Sequence, residues 1–373
     1  MSGLRVVVCG GGIAGAEALL RLRRLAGDAV EVTLVAPNED LVYRPLAVGE
    51  PFAYPPARRW PLARIAADTG AELVRDRLAA VDCEAREIGT AEGRTLRYDA
   101  LLVAVGGRKV VPYDHVTLFD DAHAAEAFAG IVRDVEEGYT RSVALLLPPG
   151  PAWPLPAYEL ALMTARRAYE MGVDGLELAL VTPEPRALAA FGEAVSATVE
   201  RLLDEAGVTL WAGAMPNVPA PGRVLVHPQG IELEAGRIVA MPQVEGPAVP
   251  GLPGQGRLGF VPIDAHCVVP ETGGRVFAAG DATAYPVKQG GLGAQMADVA
   301  AAGIARLAGA DVPEQRLEPV LRGMLLTGRE PVWFTARVEG ERGFVSEVLD
   351  GPAWDPPEKV VAEELGPYLA SLP

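Results

Sequence analysis

The apolar positions fall into short blocks separated by glycine. Residues 4–9, LRVVVC, form a continuous apolar run of strand length, followed by GGGIAG (10–15). AEALLRLRRLAG then carries apolar residues at helical spacing from Ile13 through Ala16, Leu19 and Leu20, and stops at Gly27, a plausible helix-ending glycine. VEVTLV (30–35) is a second, β-branched strand. Strand, glycine turn, helix and strand over about thirty residues make one βαβ unit.

The pattern returns further along. SVALLL (142–147) predicts a strand, AYELALMTARRAYEMG (157–172) a helix and LELALV (176–181) a strand. FGEAVSATVERLLDEAG (191–207) predicts a second helix and VTLW (208–211) a further strand. YDALLVAVGG (98–107) and GRVFAAGD (274–281) are apolar strands that end in glycine. Residues 212–262, rich in Pro and Gly, predict meanders and connections. After about 313 the pattern changes to short strands, the Pro-rich GPAWDPPEK (351–359) and a closing helix, EKVVAEELGPYL (358–369). The expected fold is α/β, with two Rossmann-like, doubly wound dinucleotide-binding modules and a short C-terminal α+β region.

Composition narrows the function. A chain of 373 residues suits two to three domains at ~150 residues each. A net charge of −16 gives no electrostatic basis for gripping nucleic acid or anionic lipid. No apolar run is long enough to span a bilayer and no signal-peptide pattern opens the chain, so a cytoplasmic protein is expected. Cys9, Cys83 and Cys267 are widely spaced, and His115, His123, His227 and His266 do not cluster, so neither a disulfide framework nor a metal site is expected. Only three lysines (Lys109, Lys288, Lys359) stand against 30 arginines.

Three segments carry candidate chemistry. Gly10, Gly12 and Gly15 form G-x-G-x-x-G between strand and helix, where backbone approaches a pyrophosphate and the helix N-terminus faces the anion. The acid expected after the second strand is missing: Ala36 stands there, with Pro37, Asn38 and Glu39 following. LLVAVGGR (101–108) is a buried strand ending in two glycines. VFAAGDATAYPVKQGG (276–291) delivers Gly280 and Asp281 to a helix start.

These segments, in this order, resemble the FAD-dependent pyridine nucleotide–disulfide oxidoreductase superfamily. The branch resembled holds type II NADH dehydrogenases, sulfide:quinone oxidoreductases and flavocytochrome c sulfide dehydrogenases, and the likeness spans about residues 4–310. The resemblance implies FAD extended along the first module, against Gly10, Gly12, Ile13, Ala14 and Gly15. It also places Ala36, Pro37, Asn38, Arg44 and Leu78 at the cofactor, with the strand end Ala104, Val105, Gly106 and Gly107. Gly280 and Asp281 would meet the ribityl-pyrophosphate region. Lys288 and Gln289 would lie beside the isoalloxazine ring, where a cation and a helix N-terminus stabilise charge on reduced flavin. The implied domains are a discontinuous FAD-binding domain (1–112 and 245–312), an NAD(P)-binding-like domain (113–244) and a C-terminal region (313–373).

The likeness breaks at three places. The second module reads LLLPPGPAWPLPAYELA (145–161), and prolines have no N–H to offer a phosphate, so ordinary NAD(P)H binding is disfavoured. Ala157 replaces the third glycine, while Glu159 retains the family's acidic residue. Trp153 stands where the sulfide:quinone branch has a redox cysteine, and no cysteine follows Cys267, so a persulfide mechanism is not expected. Cys9 is read as core. Cys267 and His266, adjacent on a strand, would point to opposite faces. The C-terminal region is too short for a disulfide-reductase dimerisation domain, and its closing helix is a poor membrane anchor. PVWF (331–334) reads as core, the alternative being the wall of a quinone slot.

The reading is an FAD-dependent oxidoreductase passing electrons through bound flavin, from an unidentified small-molecule donor to a quinone or small electron carrier. Two alternatives stay open: an NAD(P)H:acceptor oxidoreductase with atypical nicotinamide binding, and a non-catalytic flavin-binding subunit that recruits a partner. A protein redox partner, peripheral membrane contact and a monomeric or homodimeric state also stay open. No nucleic acid is expected.

Overall fold

The computed structural model describes residues 3–120, 123–338 and 344–372. The first parallel sheet runs in the spatial order Val276–Ala278, Ala100–Val103, Leu4–Cys9, Val30–Val35, Glu72–Val74. The chain starts at the centre, builds outward on one side, then crosses to the other. That reversal leaves a crevice beyond the carboxyl ends of Leu4–Cys9 and Ala100–Val103, the place where open α/β sheets bind ligands. The second parallel sheet repeats the plan: Thr117–Leu118, Arg237–Ala240, Ser142–Leu146, Glu177–Val181, Val208–Trp211. Both sheets have the continuously apolar central strands that burial on two faces demands. The architecture is two Rossmann-like modules with a small C-terminal sheet, Val320–Leu325, Val332–Val338 and Phe344–Leu349, and a final helix.

Helix Ile13–Ala26 packs on helix Gly290–Leu307, whose Ala- and Gly-rich sequence is buried on nearly every side. Gly293 lies against Gly280, so the second helix closes onto the Gly-Asp turn. Three-stranded antiparallel sheets cover the other faces: Leu78–Asp82, Glu87–Thr90 and Thr95–Arg97 on the first module, and Met215–Ala220, Arg223–His227 and Ile231–Glu234 on the second.

Several expected boundaries move. The helix expected over 157–172 is Leu155–Glu170, because a proline in the first turn loses no hydrogen bond and Pro156 sits there. The helix expected over 191–207 is Glu193–Glu205. The closing helix is not 358–369 but Leu365–Ser371, with Gly366 and Pro367 in its first turn rather than interrupting it. Its start is fixed by the Glu17 carboxylate, which accepts from the backbone N–H of Glu364 (2.9 Å) and Leu365 (2.6 Å). Residues 358–361 are therefore not helical and lie against the first module, where Val360 N–H donates to Tyr43 Oη at 2.7 Å. Helices Leu62–Thr69 and Ala124–Glu136 carry no motif and were not anticipated. His266 and Cys267 lie on a turn rather than a strand, with Cys267 at φ 59°. They still diverge: Cys267 is buried, and His266 Nδ1 sits 2.7 Å from the Gln315 carbonyl.

At the junction of the two packed helices, Glu17, Arg21 and Asp298 are buried together. Burial, then the Glu17 charge, pushes the Asp298 carboxyl up to about 9. Its unfolded value is ~3.9. Between those values the folded chain holds a proton that the unfolded chain has released, so stability falls as pH rises, by up to ~1.4 kcal/mol per pH unit. Asp298→Asn, neutral throughout, should melt near the parent temperature at pH 5 and above it at pH 8–9. Parent and variant melting curves that stay parallel over that range would refute the assignment.

Candidate functional site

A cavity of about 850 Å³ opens at the crevice of the first sheet, within the range of cofactor pockets. Four segments converge on it. The turn Gly10–Gly12 and the helix residues Ile13 and Ala14 form its floor. Gly10 has φ 122°, and a Cβ there would stand 2.1 Å from the Ala104 carbonyl oxygen, so two strand ends touch and only glycine fits between them. Ala104, Val105, Gly106 and Gly107 line a second side, and Ala279, Gly280 and Asp281 a third. Pro37, Asn38, Arg44 and Leu78 complete the end near the second strand.

Lys288 and Gln289 form the other end, immediately before helix Gly290–Leu307. Lys288 is 3% exposed; its ammonium donates to the Thr283 carbonyl at 2.5 Å and lies 3.9 Å from the centre of the Phe260 ring. Burial pulls its pKa down to about 8, and the Asp281 charge pulls the other way. A solvated surface lysine is thereby excluded. The Gln289 amide nitrogen donates to the Arg322 carbonyl at 2.6 Å, while its Oε1 is buried without a hydrogen-bond partner.

Two of the residues the sequence singled out stand behind the cavity rather than in it. A Cβ on Gly15 would meet the Gly10 carbonyl oxygen at 1.8 Å, so this glycine seats the helix against the turn. Ala36 is fully buried in the core and does not line the cavity. Trp333 and Phe334 are core: Trp333 packs edge-on against Trp354, and Phe334 against Phe191.

The structure also brings in residues that sequence reasoning left apart. Trp153 lines the cavity and packs on Phe191 at 5.7 Å. Its neighbour Ala152 pairs with Val287, which ties the proline-rich loop to the segment bearing Lys288. Glu159 and Lys359, 200 positions apart, form a buried ion pair at the cavity wall, Nζ to Oε1 2.5 Å and Nζ to Oε2 2.7 Å. Leu326 N–H donates to Glu159 Oε1 at 2.9 Å, and Lys359 donates to the Pro45 carbonyl at 3.1 Å.

The head of the second module is differently furnished. Helix Leu155–Glu170 has no N–H at Pro156, and the Ala157 N–H is bonded to the Pro154 carbonyl. Glu184, just past strand Glu177–Val181, stands where a ribose-binding acid would be. It accepts instead from Tyr158 Oη at 2.7 Å and Thr182 Oγ1 at 3.1 Å. An acid three residues after a module's second strand was the sequence signal for Glu184. Burial raises its pKa above the usual carboxylate range.

Among the described residues no cluster of three or more His, Cys, Asp or Glu could hold a metal ion, and no helix is long and apolar enough to cross a membrane.

A family model described as "Pyridine nucleotide-disulphide oxidoreductase" matches residues 4–136. A sulfide-quinone reductase of Aquifex aeolicus (strain VF5) is 26% identical over 267 residues, 65% of this chain and 59% of that protein. The match thus spans less than two thirds of the relative's length. The solved sulfide:quinone oxidoreductase from the hyperthermophilic bacterium Aquifex aeolicus superposes with a TM-score of 0.82 at 21% identity, covering 93% of this chain and 87% of that one. Residues 4–136 are thus similar to the pyridine nucleotide–disulphide oxidoreductases, and the chain shares its two-module fold with the sulfide:quinone oxidoreductase. A ferredoxin reductase for the CYP199A2 system from Rhodopseudomonas palustris shares the fold at a TM-score of 0.67 and 19% identity, covering 93% of this chain and 89% of that chain.

The cavity fits FAD, the cofactor that the sequence resemblance implies, on its own terms. The Gly12 position opens onto free space, cationic residues outnumber acidic ones seven to three in the lining, and the Gln289 oxygen awaits a donor.

Proposed function

We propose that the chain is an FAD-dependent oxidoreductase that passes electrons from a small-molecule donor to a quinone or small electron carrier. The observation that carries this reading is the convergence of the Gly10–Gly12 turn, the Gly280-Asp281 turn and buried Lys288 on one cavity. Bound FAD supplies two-electron redox chemistry that no side chain here can supply. The backbone N–H groups of the Gly10–Gly12 turn and the helix that starts at Ile13 would hold the pyrophosphate. Asp281 would accept from ribityl hydroxyls, and Gln289 Oε1 would take the ring N–H. Arg44 and Leu78 would border the adenosine end. Lys288 would hold a positive charge beside the ring and so favour the reduced form.

The persulfide route of sulfur-oxidising relatives has no support in the described residues. Cys9 and Cys267 are buried, with thiols pushed up by burial, and no cysteine lines the cavity. A nicotinamide donor is disfavoured by the proline-interrupted helix start and the inward-turned Glu184. Peripheral membrane contact would follow from a quinone acceptor; with a soluble carrier the chain would work in the cytoplasm.

The test is an anaerobic visible spectrum of the purified protein before and after NADH or NADPH. Oxidised flavin that persists is the expected result. Rapid bleaching would favour the NAD(P)H:acceptor reading, and a chain that neither contains nor takes up flavin would overturn the proposal.

Lys288 gives a second measurement. Two unit charges several ångströms apart at an effective dielectric of ~20 interact by ~2 kcal/mol. With 1.4 kcal/mol per 30 mV for a two-electron couple, Lys288→Met should lower the flavin midpoint potential by about 40–50 mV at pH 7. Because the ammonium deprotonates as pH rises through about 8, the gap between parent and variant should close by about pH 9.5. Spectroelectrochemistry at both pH values reads this directly, and equal potentials at pH 7 would remove Lys288 from its role.

A further inference from the structure

The cavity is cationic. Its lining has seven cationic and three acidic residues, in a chain whose net charge is −16.

Most of the cavity's cations already have partners. Arg108 pairs with Glu245, Lys109 with Asp120 and Lys359 with Glu159. Arg322 differs: its half-buried guanidinium makes no hydrogen bond or ion pair with any described residue. Burial draws its pKa down, and the charge that opposes this belongs to Glu363, which is exposed and ion-paired with Arg21. A desolvated guanidinium without an anion is costly to keep.

Its placement is fixed from both sides. Strand Val320–Leu325 alternates, with Leu321, Gly323 and Leu325 buried in the core and Arg322 on the opposite face. Gly323 packs on Phe334, Phe334 on Phe191 and Phe191 on Trp153, so one aromatic stack backs both the arginine and the indole that line the cavity. The Arg322 carbonyl is held by Gln289, at the head of helix Gly290–Leu307.

We propose that Arg322 is the recognition point for an anionic substrate: a small molecule bearing two oxygens that share a negative charge, bound beside the indole of Trp153. The guanidinium fork matches a carboxylate or a sulfur or phosphorus oxyanion in two parallel hydrogen bonds. The cavity's aromatic and aliphatic wall takes the apolar remainder. This inference rests on the flavoenzyme reading above and names the substrate class of the same cavity.

The experiment titrates the FAD-loaded chain with acetate, thiosulfate and, as the neutral control, acetamide, following the flavin absorption bands. A saturable spectral shift with one or both anions and none with acetamide is expected; whichever anion binds tighter tells carboxylate from oxyanion. Arg322→Met should weaken that anion by about ten- to a hundredfold while FAD stoichiometry stays at the parent level, and Arg322→Lys should fall between. Should the methionine variant not fold, the lysine variant and the rise of the parent's melting temperature with the same anion carry the test. Equal anion affinity in parent and variants, or a parent flavin blind to both anions, overturns the inference and leaves the flavoenzyme reading standing. Absence of FAD uptake overturns that reading instead.

Discussion

Gly12→Ala should fold as well as the parent and fail to hold FAD. The backbone at Gly12 is extended, with φ −85° and ψ −169°, open to any residue, and a Cβ there meets no atom within 4 Å. The protein's own packing therefore gives no reason for glycine. The reason lies in the cavity, where a methyl group would hold the pyrophosphate away from the turn's N–H donors. Losing one or two charge-assisted bonds, each ~1.5–3 kcal/mol, weakens FAD by about tenfold to ten-thousandfold. Gly15→Ala should behave oppositely. Its Cβ would stand 1.8 Å from the Gly10 carbonyl oxygen, a backbone atom that cannot swing aside. Forced apart, helix and turn should lose roughly 2–4 kcal/mol of stability even without cofactor. Melting the flavin-stripped chains and titrating each with FAD separates the two glycines. Tight FAD binding by a well-folded Gly12→Ala would sink the pyrophosphate assignment.

The contrast shows which parts of the site were legible in the sequence. A glycine motif between a strand and a helix is local, and so is an apolar run ending in Gly280-Asp281; periodicity and spacing are enough to read both. What the strands bring together from afar leaves no such mark. Glu159 and Lys359 are 200 residues apart, and Lys359 sits in a stretch whose prolines read as a terminal connection. Arg322 lies on a six-residue strand that alternates like any edge strand. Trp153 could be placed opposite a family cysteine, yet its contact with the cavity depends on the bridge from Ala152 to Val287. One compositional signal did reach across the fold: the chain's three lysines, scarce beside 30 arginines, all line the cavity. Where arginine serves nearly every surface ion pair, a lysine marks a place that wants a compact, partly desolvated ammonium.

Lys359 supplies the sharpest stability test. It is the cation for Glu159, which is fully buried in helix Leu155–Glu170, and it also bonds the Pro45 carbonyl. One side chain thus joins the C-terminal segment to both modules at the cavity wall. Lys359→Met keeps the side chain's bulk and strands a carboxylate in the interior, a loss worth ~3–5 kcal/mol. Glu159 would then take up a proton, because burial already raises its pKa and Lys359 is the main influence holding it down. The variant should therefore regain stability as pH falls toward 5, the reverse of what loss of a surface ion pair would do. Pairing the change with Glu159→Gln removes the stranded charge and should restore most of the loss, with a coupling energy of ~2 kcal/mol or more in a double-mutant cycle. Single changes that simply add would mean that the two groups do not depend on each other, and that the C-terminal segment is held by its other contacts, those with Glu17, Tyr43, Arg21 and Arg58 among them.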